Sequence, residues 1–181
     1  HDALPISGRM VMELKDAIRS IPDFPRPGIL FRDITTLLRD AVAFQEVIGR
    51  LAERYAARNL DIIAGIEARG FIFGAALAAR LRTGFVPIRK PGKLPAKTYS
   101  ARYELEYGTD RIEMHADGVQ QGERVLLIDD LLATGGTMRA ACSLVKQAGG
   151  SIVECAFIIE LADLKGREKL ADWPVYSMIV F

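Results

Sequence analysis

Two adjacent acids lie between an apolar run and a turn of small residues in the second half of the chain. In RVLLIDDLLATGGTM, residues 124–138, the run from Val125 to Ile128 is able to form a strand that is buried on both faces. The carboxylates of Asp129 and Asp130 cannot enter a core charged and unpaired, so we expect them at the mouth of this strand, facing water or a ligand. Open α/β sheets bind ligands beyond the carboxyl ends of their strands, which makes this mouth a candidate site.

The turn that follows the acids has the residue types of a phosphate-binding loop. The segment Ala133–Thr137, ATGGT, offers successive backbone N–H groups just before a predicted helix. Gly135 and Gly136 allow a close approach of the backbone, and Thr134 and Thr137 add hydroxyl donors. The neighbouring acids cannot bind phosphate, but they can accept hydrogen bonds from sugar hydroxyls or hold a divalent cation. The combination predicts a site for a ribose 5-phosphate.

Other interpretations of this stretch depend on motifs elsewhere in the chain. An apolar run ending in two acids is also typical of the magnesium-binding strand of P-loop ATPases, which need GxxxxGK followed by Ser or Thr. The nearest candidate, GIEARGF, has Phe71 in place of the lysine, and the chain contains no GxGxxG for a dinucleotide. A purely structural interpretation, in which the acids end a strand and cap the next turn, stays open from these residues alone.

Composition limits the classes of protein to which the chain can belong. Its 181 residues are 50% hydrophobic and 26% charged, which predicts one globular α/β domain, and the net charge of +1 does not favour nucleic acid or an anionic membrane as a partner. No apolar run reaches the roughly 18 residues of a membrane span, and Cys142 and Cys155 lack metal-binding spacing, so we expect a reduced, cytoplasmic protein. We expect residues 1–9 to be a vector-derived remnant and residues 10–181 to form a single domain.

Strands and helices alternate along the chain, which predicts a mainly parallel central sheet flanked by helices. Helical spacing of apolar residues predicts helices at about 12–21, 40–58, 71–81 and 137–148. Strand patterns cover 61–67, 84–90, 109–115, 123–130, 151–161 and 175–181. The proline-rich segment 22–35 is expected to be an irregular covering segment, and the polar, basic segment 91–108 a turn-rich loop.

Several motifs resemble those of one enzyme family. VLLIDDLLATGGT resembles the phosphoribosyl-pyrophosphate signature of the type I phosphoribosyltransferases, and FPRPGILFRDIT, GIEARGFIFG, IRKPGKLP, LEYG and LKGREKLA resemble segments of the adenine-specific members. The resemblance extends from about residue 13 to residue 181. It implies the type I phosphoribosyltransferase fold, with an N-terminal hood at about 22–36 and a mobile lid at about 90–108. It also implies transfer of the 5-phosphoribosyl group from phosphoribosyl pyrophosphate to adenine, giving AMP and pyrophosphate, with Mg²⁺ required.

The resemblance assigns roles to the residues of the signature. Asp129 and Asp130 would hold the ribose hydroxyls near the cationic sugar of the transition state, and would hold the metal directly or through water or substrate. The amides of Ala133–Thr137 would anchor the 5-phosphate. Arg69 would bind the pyrophosphate, after a cis peptide at Ala68–Arg69. From sequence alone, Arg69 could equally be a surface residue.

The lid is expected to close over the pyrophosphate and exclude water from the cationic sugar. Its segment contains five cations, Arg89, Lys90, Lys93, Lys97 and Arg102. We expect Arg89, Lys90 and Lys93 to bind substrate, although a solvated loop would have the same composition. In LEYG, the resemblance makes Glu106 the candidate general base for the purine proton and Tyr107 a packing residue, while Glu104 stays open as an alternative base.

The hood is expected to cover the purine. Leu30, Phe31 and Arg32 match the adenine-contact positions of the family, and backbone groups there would recognise the edge of the base. Two alternatives stay open: a phosphoribosyltransferase for 6-oxopurines, which usually needs a side-chain donor near the base, and a non-catalytic sensor of phosphoribosyl pyrophosphate. We expect a homodimer with Glu67–Gly74 near its interface, small-molecule substrates, and neither nucleic acid nor a membrane as a partner.

Overall fold

The structure, a computed structural model, describes residues 13–105 and 107–181. The chain divides into two units, one that ends at Gly49 and one that extends from Arg50 to Phe181. The expected vector-derived residues 1–9 lie outside the described residues, and the expectation of a single domain stays a prediction.

The described part of the amino-terminal unit contains a short 3-10 turn, Leu14–Ala17, where the sequence predicted a helix to residue 21. That prediction was wrong, because the chain becomes extended at Ile18 and forms strand β1, Arg19–Pro22. Strand β1 pairs antiparallel with β2, Leu30–Asp33, and the Arg19 guanidinium donates to the Asp33 carboxylate across the pair at 2.5 Å. This pairing partner lies within the segment that was expected to be irregular, so local periodicity could not identify it.

Two helices follow in the chain, α1, Thr35–Arg39, and α2, Ala41–Tyr55. Asp40 begins the second of them, since its carboxylate accepts from the backbone N–H groups of Val42 and Ala43 at 3.0 and 3.1 Å. Such an acidic cap satisfies two amides that the helix itself leaves without acceptors.

The carboxyl-terminal unit contains a five-stranded sheet whose paired strands are all parallel. The strands are β3 Ile62–Ile66, β4 Gly84–Ile88, β7 Arg124–Leu132, β8 Ser151–Glu160 and β9 Val175–Val180, in the spatial order β4-β3-β7-β8-β9. Helices α3, Arg69–Leu81, and α4, Gly136–Gln147, pack against these strands, which confirms the predicted α/β class.

Strand β7 is central in the sheet, and the residues from Val125 to Ile128 are fully buried as the apolar run predicted. The strand nevertheless continues to Leu132, so Asp129 and Asp130 lie inside it and not after its end. The neighbouring β3 pairs with β7 only as far as Ile128. The two acids can therefore belong to a strand and still lie beyond the carboxyl end of its neighbour.

The basic segment after β4 contains a regular strand that the sequence did not predict. Strand β5, Thr98–Glu104, pairs antiparallel with β6, Thr109–His115, and the hairpin turns between them. Short 3-10 turns, Ala162–Leu164 and Gly166–Leu170, follow β8. Among the described residues, every helix is too short or too polar to cross a lipid bilayer.

Candidate active site

The two acids and Arg69 meet at the carboxyl end of β3. The Nε–H of Arg69, at the first position of α3, donates to Oδ2 of Asp130 at 2.5 Å, and the Asp130 side chain is 10% exposed. The backbone N–H of Asp130 donates to Oδ1 of Asp129 at 2.8 Å. These contacts bring together three side chains that the sequence placed in one site.

Gly70 allows the start of α3 to lie directly against these acids. A Cβ atom on Gly70 would lie 3.1 Å from Oδ1 of Asp129 and 3.0 Å from the carbonyl oxygen of Ile128. A larger residue would push the helix away and separate Arg69 from Asp130. The cis peptide of this segment lies at Glu67–Ala68, one residue earlier than the family resemblance implied.

Burial, and then the neighbouring carboxylate of Asp130, raise the pKa of Asp129 well above its ordinary value. Arg69 acts in the opposite direction but does not compensate for these two effects. Two carboxyl groups this close repel each other when both are ionised. A cation or a set of hydroxyl donors would relieve that repulsion, so the pair is suited to bind either.

The turn after β7 leads into α4 as the phosphate-loop prediction requires. Gly135 has a φ of 88°, the left-handed conformation that glycine adopts without strain, and α4 begins at Gly136 with no side-chain cap. The amides of the first helical turn have no acceptors within the helix, and the helix dipole adds partial positive charge there. This end of the helix can therefore wrap an anion.

The Glu67 carboxylate contacts the cationic residues that follow β4. Its carboxylate accepts from the Lys93 ammonium at 2.6 Å and from the backbone N–H of Lys90 at 2.6 Å, and it lies 3.6 Å from Nε of Arg89. Burial alone would raise the pKa of Glu67, but the hydrogen bonds from Lys93 and Lys90 lower it below its ordinary value. An ionised Glu67 thus holds cations of the IRKPGK segment at the end of β3.

The Lys90 side chain contacts the β5–β6 hairpin. Its ammonium donates to the Tyr103 hydroxyl and to the Asp110 carboxylate, two residues that face each other across the hairpin. Lys90 therefore links the two regions, because its side chain contacts the hairpin and its backbone N–H contacts Glu67. Sequence analysis listed Lys90 but did not identify Tyr103 or Asp110 as its partners.

The described residues on either side of the predicted general base, Glu106, lie at the turn of the β5–β6 hairpin. Tyr107 is 82% exposed, and the backbone N–H of Leu105 donates to the carbonyl of Gly108 at 2.9 Å. Glu104 is exposed at the end of β5. Glu106 lies outside the described residues, so its role as general base stays a prediction.

The predicted purine contacts lie in the amino-terminal unit, on β2. Leu30 is 47% exposed, and Phe31 packs edge to face against Phe24 with 5.2 Å between ring centroids. The Arg32 guanidinium donates to the Ser20 hydroxyl at 2.7 Å. This unit therefore presents apolar surface at the positions that the resemblance assigned to the base.

A cavity of about 1010 Å³ lies beside the phosphate turn and is not centred on the acids. It is formed by β5, by the outer face of α4 and by the segment around Trp173, and it reaches the turn only at Gly136. Lys169, which also lines this cavity, has its ammonium 3.9 Å from the position that a Cβ of Gly136 would occupy. Neither Asp129 nor Arg69 lines it, so we place the candidate chemistry at the strand ends and not in this cavity.

Comparison with known proteins identifies the family of this site. A phosphoribosyl transferase domain model matches residues 34–180. The adenine phosphoribosyltransferase of Chloroflexus aurantiacus is 61% identical over 169 residues, which are 93% of this chain and 98% of that protein. The chain belongs to the adenine phosphoribosyltransferase family. This result confirms the family resemblance and excludes the P-loop interpretation.

Solved structures of adenine phosphoribosyltransferases agree with the fold. The enzyme from Thermoanaerobacter pseudethanolicus has a TM-score of 0.90 and 55% identity, with 93% of this chain and 98% of that chain covered. The enzyme from Saccharomyces cerevisiae, solved with adenine and an imino-altritol bisphosphate, has a TM-score of 0.87 and 43% identity, with 92% and 96% covered. The type I phosphoribosyltransferase fold that the sequence predicted is confirmed.

Two residues to which sequence analysis gave no role in the site contact the predicted site segments. Glu67 was named only within GIEARGF and at one end of the expected dimer interface, although its position directly after a buried strand and close to Arg69 in the sequence could have marked it as a site residue. Gly166 was quoted only within LKGREKLA, and its contact with the phosphate turn joins segments about thirty residues apart. Such nonlocal contacts are not visible in local spacing.

Proposed function

We propose that this chain transfers the 5-phosphoribosyl group of phosphoribosyl pyrophosphate to adenine, forming AMP and pyrophosphate in purine salvage. The observation that carries the proposal is the continuous unit of β7, turn and α4, which brings two acids and an uncapped helix end together in a chain of this family. The carboxylates can accept hydrogen bonds from ribose hydroxyls, and the helix end can bind a phosphate. Because the two groups are adjacent in the chain, they can bind the two ends of one ribose 5-phosphate.

In this mechanism, the amides of Ala133–Thr137 hold the 5-phosphate, with Thr134 and Thr137 adding hydroxyl donors. Asp129 and Asp130 accept from the ribose hydroxyls. Anchoring both ends of the sugar leaves its anomeric carbon free to move from pyrophosphate toward the purine nitrogen. Their negative charge also stabilises the cationic sugar that forms as the leaving group departs.

The leaving group needs positive charge at the opposite side of the sugar. Arg69 supplies a guanidinium that can bind phosphate oxygens with two parallel hydrogen bonds. Arg89, Lys90 and Lys93 supply further cations, which Glu67 and Asp110 neutralise before substrate binds. We propose that pyrophosphate replaces these carboxylates as the partner of the cations.

The base is bound by the residues that the family resemblance indicated. Leu30 and Phe31 provide apolar surface for the purine, and Arg32 contributes at the same strand. Glu106 accepts the proton from the purine nitrogen, and Tyr107 packs over the closed site. The exposure of Tyr107 supports this role, because a residue of a lid has no reason to be buried before the lid closes.

The chemistry of the two acids fits a requirement for Mg²⁺. Among the described residues, no group of three or more His, Cys, Asp or Glu side chains could form a metal cage. Magnesium is commonly bound by one or two carboxylates together with substrate phosphates, and the mutual repulsion of Asp129 and Asp130 favours a cation there. We propose that these acids hold Mg²⁺ directly or through water or the ribose, and the ion supplies charge neutralisation at the phosphates.

The experiment that tests the proposed function is a competition between purines. Purified protein is incubated with phosphoribosyl pyrophosphate, Mg²⁺ and equal concentrations of adenine, hypoxanthine, guanine and xanthine, and the nucleotides are separated and quantified. We expect AMP as the product, and none when EDTA replaces Mg²⁺. Formation of IMP, GMP or XMP in place of AMP would support a 6-oxopurine enzyme, and donor binding without any product would support a sensor.

We also propose that the protein is a cytoplasmic homodimer. Cys142 and Cys155 are buried free thiols, which suits a reducing compartment. Support for the dimer comes from α3, where Ile72, Ala75 and Ala79 are exposed at helical spacing on one face. An apolar exposed face of this kind next to Glu67–Gly74 is suited to association with a second copy.

A further inference from the structure

The 3-10 turn Gly166–Leu170 packs directly against the phosphate turn. A Cβ on Gly166 would lie 2.5 Å from the carbonyl oxygen of Ala133, and a Cβ on Gly135 would collide with the carbonyl oxygen of Gly166. Backbone therefore lies directly against backbone at this contact, beside the Leu132 side chain. A displacement of residues 166–170 would therefore alter the backbone contact that holds the phosphate turn in place.

An ion pair fixes this supporting segment to the sheet. Nε of Arg167 donates to both carboxylate oxygens of Glu160 at 3.0 Å, and Nη2 lies 2.9 Å from Oε1. The Arg167 guanidinium also donates through Nη1 to the carbonyl oxygen of Val175 at 3.2 Å. Such a forked geometry fixes the orientation of the arginine as well as its distance.

Glu160 is located where it can connect this ion pair to the site. It is the last residue of β8, and its register partner on β7 is Leu132, the residue directly before the phosphate turn. The Glu160 side chain is 7% exposed, and its carboxylate stays ionised because the hydrogen bond from Arg167 overcomes the cost of burial. The carboxylate thus provides a fixed point one strand away from the turn.

We propose that Glu160 and Arg167 are positioning residues for the loop that binds the 5-phosphate. They hold Gly166 against Ala133 and Gly135, and this contact keeps the turn amides directed at one point. The inference rests on the proposed function and assigns a purpose to the LKGREKLA segment that phosphate binding alone does not explain. Loss of the ion pair should weaken phosphate binding and leave the chemical step nearly unchanged at saturating donor.

The experiment compares Arg167→Met with a matched variant at another ion pair that involves a glutamate of β8. Arg54 forms a similar forked pair with Glu154, at 2.8 and 3.0 Å, and the Glu154 side chain is 5% exposed. Arg54→Met therefore removes an equivalent pair on the same strand without touching residues 166–170. We expect KM for phosphoribosyl pyrophosphate to rise about tenfold in Arg167→Met, with kcat within about twofold of wild type, and neither constant to change by more than about twofold in Arg54→Met.

Direct binding of ribose 5-phosphate, measured by calorimetry without adenine, separates this inference from the proposed function. Weaker binding by Arg167→Met, with partial recovery in Arg167→Lys, would support the inference even if the wild type made no AMP. Equal affinity in wild type and Arg167→Met would overturn it, as would equal losses in Arg167→Met and Arg54→Met. If Arg167→Met does not fold, Glu160→Gln takes its place, and an affinity unchanged from wild type in that variant would equally overturn it.

Discussion

At the scale of single residues, the proposed role of Asp129 in catalysis opposes its effect on the stability of the fold. Burial and the Asp130 carboxylate raise its pKa, so the folded protein binds a proton more tightly at this site than the unfolded chain does. Its contribution to stability therefore declines as pH rises through the elevated pKa. We expect Asp129→Asn to increase the free energy of unfolding at pH 8 by about 0.5–2 kcal/mol and to lower kcat/KM at least about 100-fold, since the amide keeps the shape but loses the charge.

Urea unfolding of wild type and Asp129→Asn at pH 5 and pH 8 measures how the effect of the substitution on the free energy of unfolding depends on pH. The stability difference between the two proteins should be larger at pH 8 than at pH 5, because the wild type loses stability as pH rises from the ordinary pKa of an aspartate toward the raised pKa of Asp129. Asp163→Asn, an exposed substitution in the 3-10 turn after β8, serves as the control and should show no such pH dependence. A variant less stable than wild type at both pH values would contradict the assigned cause.

At the scale of elements, the phosphate turn depends on a glycine for two separate reasons. Gly135 has a φ of 88° and a Cβ there would collide with Gly166, whereas Gly122 has a φ of 81° with nothing within 4 Å of a Cβ. Alanine at Gly122 therefore introduces backbone strain alone, which costs about 1–2 kcal/mol. We expect Gly135→Ala to cost about 1–3 kcal/mol more than Gly122→Ala, because of the collision, and to abolish binding of ribose 5-phosphate.

Chemical unfolding and calorimetric titration of both glycine variants measure these two effects. The comparison removes the conformational cost common to the two positions and leaves the packing cost. Equal destabilisation of the two variants would mean that the backbone contact with Gly166 has no energetic weight.

The same elements show what the sequence could and could not predict. The buried strand of Val125–Ile128, the acids and the turn are contiguous, so local pattern was enough to predict a buried strand that leads through the acids into the turn, while their ribose and phosphate roles stay predictions. Strand β1 was missed because apolar spacing near Ile18 fits a helix, and the cross-strand pair of Arg19 with Asp33 that favours extension is fourteen residues apart in the sequence. The contacts of Glu67 and Arg167 were missed for the same reason, since each joins a loop to a partner on another element.

At the scale of the whole molecule, the exposed face of α3 leads to a prediction about assembly. The opposite face of this helix, which includes Phe73, Leu77 and Ala78, is buried. Ile72 is a large apolar residue that is 40% exposed. One exposed apolar residue alone is common on protein surfaces, but an exposed apolar face is suited to bind another apolar surface. We expect light scattering at micromolar concentration to give a mass of about 40 kDa, twice the 19.9 kDa of one chain.

A charge introduced on that face should separate the two copies. Ile72→Glu would place a carboxylate in an apolar contact, at a cost of several kcal/mol per dimer, and we expect the measured mass to fall to that of one chain. Val42→Glu is the matched control, because Val42 is 65% exposed on α2 and its substitution should leave the mass unchanged. A dimer that survives Ile72→Glu but dissociates in Val42→Glu would move the interface away from α3, and a single-chain mass for the wild type would exclude the homodimer at that concentration. Because Ile72 lies three residues after Arg69, dissociation that also lowers activity would mean that assembly supports the start of α3 and, through it, the contact of Arg69 with Asp130.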